Sequence, residues 1–299
     1  MREAARMRNV AVWTCGLTAA LMVGAANAEK PASHPEPVRI GAVAYAPSAV
    51  TIFEGIRRYL ADHDFSVDYV LYSNYDALVD ALDQGHIDIA WNTPLAHAQY
   101  HCRNGCASQT LVMRDVDVDF HSVLVVRKDS GIESLADLSG KTLVLGSNQS
   151  AEATVLPRHY LQSQGVEFGE VNILSLDGKV DLEGNPCASE RHVLAEVIAG
   201  RGDAGIIGRY LWERIEAGNV DGGDQLVAVW RSPSFSHCVF TAPVSFDREL
   251  GQRFTELMLA MSLEDPATAN VLRLEGAKRW VAGSPDGFVD LVEALGGQQ

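Results

Sequence analysis

The stretch Ile87-Asp-Ile-Ala-Trp-Asn-Thr-Pro94 decides the fold. Its first five residues are mostly apolar and predict a short buried strand. Asn92 and Thr93 follow at the carboxyl end of that strand, and Pro94 then begins a helix, because proline is well tolerated in a first helical turn. The stretch therefore predicts a strand–turn–helix unit with two polar side chains where the strand ends.

Strands and helices alternate on both sides of this stretch, which predicts an α/β fold with largely parallel sheets. The first unit has strands at 38–44, 66–72 and 87–91 and helices at 50–63 and 75–84. Strands at 110–114 and 121–127 lead to a second unit, with strands at 141–145, 170–176, 203–207 and 226–231 and helices at 152–165, 189–199 and 210–217. A strand at 239–242 and helices at 248–263, 266–274 and 288–295 end the chain. This order predicts two lobes, two crossings between them and a C-terminal helical tail.

The N-terminus has the pattern of an export signal. Arg2, Arg6 and Arg8 precede an apolar run at 10–24, which ends in the small residues of 26–28. A membrane anchor would need about 20 apolar residues, and the run is shorter than that. The pattern predicts a cleaved signal peptide over 1–28, a disordered lead-in at 29–37 and a periplasmic protein.

The net charge of the chain limits the classes of molecule that it is expected to bind. The formal charge is −15, and loss of the leader, with three Arg and one Glu, makes it −17. Such an acidic chain is not expected to bind nucleic acid or an anionic membrane.

Four cysteines remain once the leader is removed: Cys102, Cys106, Cys187 and Cys238. In an oxidising compartment they favour disulfides, first a local Cys102–Cys106 bridge. Cys187 with Cys238 forms either a second bridge or a pair of free thiols.

Candidate binding residues follow from where sites lie in such folds. Ligands bind beyond the carboxyl ends of the strands, where helix N-termini present free N–H groups. That geometry selects Tyr45, Tyr75, the pair Asn92 and Thr93, the loop from Ser147 to Glu152, and the turn before Ser189. The alternative is that the aromatic residues belong to the core and that a carboxylate there only stabilises its helix dipole.

The sequence offers no pattern for a metal, a cofactor or catalysis. His97 and His101 have the spacing of zinc ligands on a helix, but only Cys102 accompanies them. The phosphate-binding glycine loops are absent, and no nucleophile stands with a base in a known context. The chain is therefore predicted to be a binding protein and not an enzyme.

Several segments resemble the periplasmic phosphonate- and phosphite-binding proteins of ABC transporters. They are Asp88-Ile-Ala-Trp-Asn-Thr-Pro-Leu, His121-Ser-Val-Leu-Val-Val-Arg-Lys-Asp-Ser-Gly-Ile, Leu135-Ala-Asp-Leu-Ser-Gly-Lys-Thr and Leu156-Pro-Arg-His-Tyr. The resemblance runs over about residues 38–246. It implies the type II periplasmic-binding fold, with lobe 1 at 38–123 and 240–299, lobe 2 at 124–239, and a solute cleft between them.

The resemblance also implies pocket positions, and several of them differ here. Tyr75 matches a pocket tyrosine, whereas Phe120 replaces a second one. The run 150–152, Ser-Ala-Glu, replaces Ser-Thr-Ser at a helix N-terminus, Glu190 replaces a histidine, and Cys238 aligns with an aspartate. The pocket has thus lost hydroxyls and a histidine and gained two carboxylates and a thiol.

These changes predict a different solute. A dianion near Glu152 and Glu190 would be repelled by several kcal/mol at about 4 Å, whereas carboxylates accept hydrogen bonds from an uncharged hydroxide. A thiol at Cys238 or Cys187 suits a soft centre, and a distant thiol at Cys106 is an alternative sensor position. Arsenite, As(OH)3, meets these requirements, and the chain resembles the arsenite-sensing subfamily whose partner is a membrane histidine kinase that controls arsenite oxidase. The alternative is an ABC-transporter subunit that delivers phosphonate, phosphite or phosphate to a permease.

Overall fold

The computed structural model describes residues 36–177 and 188–296. The strands are β1 (Val38–Val43), β2 (Val67–Tyr72), β3 (Ile89–Asn92), β4 (Gln109–Thr110), β5 (Val112–Arg114), β6 (Ser122–Arg127), β7 (Thr142–Leu145), β8 (Asn172–Ser175), β9 (Ala204–Gly208), β10 (Leu226–Arg231), β11 (Val239–Ala242) and β12 (Trp280–Ala282). The α-helices are α1 (Ser48–Ala61), α2 (Tyr75–Asp83), α3 (Pro94–Arg103), α4 (Leu156–Ser163), α5 (Ala188–Ile198), α6 (Arg209–Glu216), α7 (Arg248–Leu259), α8 (Pro266–Leu274) and α9 (Val289–Gly296).

The first five-stranded sheet has the order β2-β1-β3-β11-β4. β1 pairs in parallel with β2 and β3, as expected for strands joined by helices. β11 returns late in the chain and pairs antiparallel with β3 and β4. The predicted turn between β3 and α3 forms as expected. Thr93 is the N-cap of α3, and its side chain accepts a hydrogen bond from the Ala96 amide.

The second five-stranded sheet has the order β10-β6-β9-β7-β8. β7 is parallel to β8 and β9, while β6 is antiparallel to β9 and β10. Apolar side chains cover both of its faces, with Val125 and Ile207 in one core and Leu124 and Ile206 in the other. The two-lobed α/β fold predicted from the sequence is confirmed. The division at 38–123 with 240–299 and at 124–239 remains our proposal.

The two crossings between the sheets are held to each other. Phe120 on the outgoing segment and Phe235 on the returning segment form an antiparallel bridge, with reciprocal N–H to carbonyl distances of 2.9 and 2.8 Å. The Ser232 hydroxyl accepts a hydrogen bond from the Ser122 amide at 2.9 Å. The two crossings are therefore paired by hydrogen bonds, and we call this bridged region the hinge. Residues next to it lie between the sheets.

The predicted strand at 110–114 is divided, because its two halves serve different sheets. β4 joins the first sheet, whereas β5 pairs with β12 in a separate two-stranded sheet. Between them the Leu111 amide donates to the Phe240 carbonyl at 2.8 Å. Arg114 is the last residue of β5 and lies next to the segment that leads into β6.

The predicted helix at 152–165 begins with a π-helical turn over Ala151–Val155 before α4. Pro157 has no N–H for the Ala153 carbonyl, which accepts instead from the Gly146 amide at 3.2 Å. The Ser122 hydroxyl donates to the Glu152 carbonyl at 2.6 Å. These outside partners support the wide turn, and such turns occur often at functional sites.

Gly287 lies where two backbones approach closely. A Cβ atom there would come within 2.0 Å of the Ser236 Oγ and 2.9 Å of the Ser236 nitrogen. Gly287→Ala is therefore expected to lower the free energy of unfolding by about 1–3 kcal/mol through overpacking, measured by urea denaturation. Gly169→Ala is the matched control, because nothing lies within 4 Å of its Cβ position; equal effects would contradict the prediction.

Within 36–177 and 188–296, no helix has both the length and the apolar character needed to cross a membrane. The predicted signal peptide at 1–28 and most of the lead-in at 29–37 fall outside these residues.

Candidate functional site

A cluster of buried ionisable side chains lies beside the hinge. Asp117 precedes β6, Glu152 lies in the π-helical turn, Glu190 in the first turn of α5, and His237 just before β11. Their exposed fractions are only 0, 6, 7 and 6%, respectively. Charged groups are rarely buried this deeply unless they are paired, so the contacts within the cluster decide what it can bind.

His237 is the centre of the cluster. Its Nδ1 lies 3.2 Å from Asp117 Oδ1 and 3.2 Å from Cys238 Sγ, and its Nε2 lies 3.7 Å from Glu152 Oε2. Burial alone would lower the pKa of His237, but Cys238 and the two carboxylates outweigh it and raise that pKa well above the ordinary value. His237 therefore lies between two buried acidic side chains, Asp117 before β6 and Glu152 in the π-helical turn, which favour its protonated form.

Arg114 fixes the first-sheet side of the cluster. Its Nε and a terminal nitrogen donate to the two oxygens of Asp117 at 2.6 and 2.8 Å. Burial would raise the pKa of Asp117, but Arg114 and His237 hold it well below the ordinary value. Arg114 also donates to the Glu275 carboxylate at 3.2 Å, and Tyr45 donates to the same carboxylate at 3.1 Å.

Glu152 and Glu190 form the part of the cluster that lies beside the second sheet. The Gly208 amide donates to Glu190 Oε2 at 3.0 Å. Burial and the neighbouring Glu152 charge raise the pKa of Glu190 well above the ordinary value, whereas His237 overcomes burial and lowers the pKa of Glu152. Burial and the charge of Glu152 thus disfavour ionisation of Glu190, and the two carboxyl groups offer a solute oxygen atoms that accept hydrogen bonds.

Three buried polar groups near the cluster have no hydrogen-bond partner among the described residues: the Asn92 amide, the Ser189 hydroxyl and the Tyr210 hydroxyl. Asn92 pairs with Val239, the residue after Cys238, and Ser189 precedes Glu190. The Tyr210 ring lies 6.3 Å from the His237 ring. Buried polar groups normally have a partner, so these groups are suited to contact a small polar solute.

The predicted site residues are not all in one place. Glu152, Glu190 and Cys238 join the cluster, Phe120 packs its ring 4.5 Å from the His237 ring, and Tyr45 reaches it through Glu275. Ser150 and Thr93 are N-caps whose hydroxyls accept helix amides. Tyr75 opens α2 and packs with the core of the first sheet, including Val43 and Leu78.

The predicted disulfides are not formed among the described cysteines. Cys102, Cys106 and Cys238 are free thiols, and Cys187 lies outside the described residues. Cys102 is in the last turn of α3, and Cys106 follows it in a left-handed conformation with φ 59°. Burial and the neighbouring Cys106 thiol raise the pKa of Cys102. Cys238 is buried against His237 instead.

Asp117, His237 and Cys238 are the described residues that place metal-ligand atoms together, within 4.8 Å of one another. However, both oxygens of Asp117 accept hydrogen bonds from Arg114, and His237 faces carboxylates on both sides. A metal cation would have to share Asp117 with a guanidinium. The arrangement is thus suited to hold charges in hydrogen-bonded pairs.

His97, which the sequence analysis considered with His101 as a pair with zinc-ligand spacing, contacts Thr241 Oγ1 through its Nδ1 at 2.9 Å.

Sequence reasoning missed Arg114, Asp117, His237, Glu275 and Tyr210. His237 stands beside the predicted Cys238, so its neighbourhood was found but not the residue itself. The signal that could have found Arg114 and Asp117 is their spacing of three residues at the end of a strand that leads into the first crossing. No local signal exists for Glu275, which meets Arg114 across 161 positions of sequence.

Comparisons with known proteins agree with this architecture. The family model described as "ABC transporter, phosphonate, periplasmic substrate-binding protein" matches residues 41–288. The probable ABC transporter phosphite-binding protein PhnD1 of Prochlorococcus marinus (strain MIT 9301) is 25% identical over 240 residues, covering 77% of this chain and 78% of that protein.

Two solved structures show the same fold. PhnD1 from Prochlorococcus marinus in complex with methylphosphonate has a TM-score of 0.64 at 23% identity, over 89% of this chain and 99% of that one. XAC2383 from Xanthomonas citri bound to ATP has a TM-score of 0.69 at 18% identity, over 87 and 97% of the two chains. Since these relatives are solute-binding proteins, the chain is a binding protein and not an enzyme, as predicted. The chain belongs to the periplasmic substrate-binding protein family of phosphonate ABC transporters.

Proposed function

We propose that this protein captures a small, uncharged, hydroxyl-bearing solute beside the hinge, and that arsenite, As(OH)3, is that solute. The observation that carries the proposal is the burial of two carboxyl groups, Glu152 and Glu190, beside the hinge, where they are 6 and 7% exposed. Their oxygen atoms can accept hydrogen bonds from the hydroxyls of such a solute. The Asn92, Ser189 and Tyr210 groups, which have no hydrogen-bond partner among the described residues, are available for further polar contacts.

Electrostatics argues against a phosphonate or phosphite dianion at this pair. A single charge on Glu152 about 4 Å from one charge of the solute opposes binding by about 4 kcal/mol at an effective dielectric constant of 20. His237, whose Nε2 lies 3.7 Å from Glu152 Oε2, offsets part of this repulsion. The free thiol of Cys238, 3.2 Å from His237, supplies a soft ligand of the kind that arsenic prefers.

The second candidate function is delivery of a phosphonate, phosphite or phosphate to an ABC permease. The family model and the similarity to PhnD1 favour it, and the comparisons support it better than they support arsenite. The partner distinguishes the candidates: the transport function requires a permease, whereas the sensing function that we propose for arsenite requires a membrane histidine kinase.

Isothermal titration of the chain without its leader, residues 29–299, with arsenite, phosphite and methylphosphonate tests both candidates. We expect arsenite to bind at least about tenfold more tightly than either anion, a difference of about 1.4 kcal/mol. Tight phosphite or methylphosphonate binding without an arsenite response would establish the second candidate. Binding of none of the three would contradict both.

A further inference from the structure

We propose that Arg209 is a positioning residue of the binding site. It holds the crossing segment, residues 116–121, against the start of α6. The crossing segment carries Asp117 and Phe120, whereas the start of α6 carries Tyr210. The inference rests on the proposed site beside the hinge but not on the identity of the solute, and Arg209 acts through these side chains rather than on the solute itself.

Arg209 binds the backbone of the crossing segment from the side of the second sheet. It is the first residue of α6 and directly follows β9. Its terminal guanidinium nitrogens donate to the carbonyls of Val116, Val118 and Asp119, the last two at 3.4 and 3.3 Å. Its own amide donates to the His121 carbonyl at 3.0 Å. One residue therefore holds four of the six carbonyls that precede β6.

The shape of the crossing segment requires outside support. Asp119 has φ 53°, in the left-handed region that residues other than glycine seldom adopt. Such a conformation persists only where the surrounding contacts hold it, and Arg209 donates to the Asp119 carbonyl itself. Two residues earlier, Asp117 Oδ1 lies 3.2 Å from His237 Nδ1. One residue later, the Phe120 ring lies 4.5 Å from the His237 ring. The turn at Asp119 thus fixes two side chains of the site relative to each other.

The guanidinium of Arg209 also packs on two aromatic rings beside the site. Its central carbon lies 5.4 Å from the Phe120 ring centroid and 5.5 Å from the Tyr210 ring centroid, within the range of cation–π contacts. The two rings meet edge to face at 4.8 Å. The Tyr210 ring lies 6.3 Å from the His237 ring. Arg209 therefore sets where the Tyr210 hydroxyl, which has no hydrogen-bond partner among the described residues, lies in the site.

The residue before Arg209 joins the same contacts to the carboxyl group of Glu190. The Gly208 amide donates to Glu190 Oε2 at 3.0 Å. A Cβ atom at Gly208 would lie 3.0 Å from the Phe120 ring and 3.1 Å from Glu190 Oε1, so the ring and the carboxyl group meet at this backbone. Movement of the crossing segment away from α6 would displace Phe120 relative to Glu190 and change the shape of the site.

Arg127 is a matched arginine that lies away from the site. One of its terminal nitrogens donates to the backbone carbonyls of Val197 and Gly202 at 2.8 and 3.4 Å. Its side chain is 24% exposed and that of Arg209 18%, and each guanidinium lies 3.4 Å from one carboxylate oxygen. Arg127 is the last residue of β6, whereas the crossing segment precedes the first residue of that strand. Its variant therefore measures what loss of such an arginine does to the fold alone.

The first measurement compares Arg209→Met with Arg127→Met in the chain without its leader. Methionine keeps much of the side-chain volume but has no N–H donors, so urea denaturation should show similar losses of stability for the two variants. In isothermal titrations with arsenite and with phosphite, Arg209→Met should weaken binding of whichever solute the parent binds by at least about tenfold, and Arg127→Met by less than about twofold. Equal affinities of the two variants would overturn the inference.

Arg209→Lys tests the role of hydrogen-bond donor. An ammonium group supplies three N–H donors and keeps a positive charge beside the Phe120 and Tyr210 rings. This variant should therefore bind the solute within about threefold of the parent. A folded lysine variant that binds no better than Arg209→Met would also overturn the inference.

A third measurement needs no solute and separates this inference from the proposed function. The Phe120 and Phe235 amides donate to each other's carbonyls across the hinge, so loosening of the crossing segment exposes both. Hydrogen exchange followed by mass spectrometry should be faster in peptides containing these amides in Arg209→Met, and unchanged there in Arg127→Met. Unchanged exchange in Arg209→Met would contradict the inference, whereas failure of the proposed function would appear as absence of arsenite binding by the parent.

Discussion

Replacing Arg114 with methionine is expected to lower the free energy of unfolding by about 3–5 kcal/mol, the largest stability effect that we predict. The guanidinium donates to both oxygens of Asp117 and to Glu275, and these carboxylate side chains are 0 and 1% exposed. Methionine matches much of the volume of arginine but leaves buried negative charge without its partner. The melting temperature should fall by about 6–20 °C.

Matched variants separate this effect from a general response to losing an arginine. Arg57→Met removes an ion pair with Glu54 on the exposed face of α1, where the side chains are 38 and 27% exposed, so the loss of stability should be small. Asp117→Asn in the Arg114→Met background should recover part of the stability, because the unpaired charge is then removed. Equal losses for Arg114→Met and Arg57→Met in urea denaturation would show that the buried network contributes little.

The fold was predictable wherever local chemistry decides it. Asn74 and Thr93 follow strands, accept helix amides as N-caps and begin α2 and α3 as expected. The apolar runs of β1, β3 and β9 were predicted to be strands, and in the structure they are strands buried on both faces. Each of these features is decided within a few residues of its own sequence, so a single chain suffices to find it.

Features that depend on distant partners were not predictable. The strand at 110–114 divides because β12, more than 160 positions later, pairs with its second half. The π-helical turn at Ala151–Val155 depends on donors from Ser122 and Gly146, which its own sequence does not reveal. Hydrophobic periodicity records the burial of an element but not the identity of its neighbours.

The candidate site shows the same limit at a finer scale. Glu152 was predicted because its loop follows a strand end, where sites of this fold lie, and Glu190 because the resemblance places a histidine at its position. Cys238 was predicted because the resemblance aligns it with an aspartate. The neighbouring His237 was not predicted, since its contacts with Asp117 and Glu152 join residues far apart in the sequence.

Exchanging the two carboxylates for the residue types that the resemblance places there should reverse the selectivity of the site. We expect the double variant Glu152→Ser, Glu190→His to gain at least about 100-fold in phosphite affinity, which corresponds to about 2.7 kcal/mol. The reason is that one ionised carboxylate about 4 Å from a dianion opposes binding by several kcal/mol. Arsenite affinity should fall by at least about tenfold, because the two carboxyl groups proposed to accept its hydrogen bonds are lost.

The charge of the site explains why both changes are needed. With Glu152 removed, the positive charge of His237 faces only Asp117, which Arg114 already neutralises, so His237 becomes available to an anion. If Glu190 remained, the pocket would keep a buried acidic group at the position where the resemblance places a histidine. Titration calorimetry with phosphite and arsenite measures the affinities of the double variant and of both single variants. Glu256→Gln, an exposed position on α7, is the control. Because the two sites are in contact, the gain of the double variant should exceed the sum of the single gains. A folded double variant whose phosphite affinity equals that of the parent would show that the carboxylates do not set the charge of the solute.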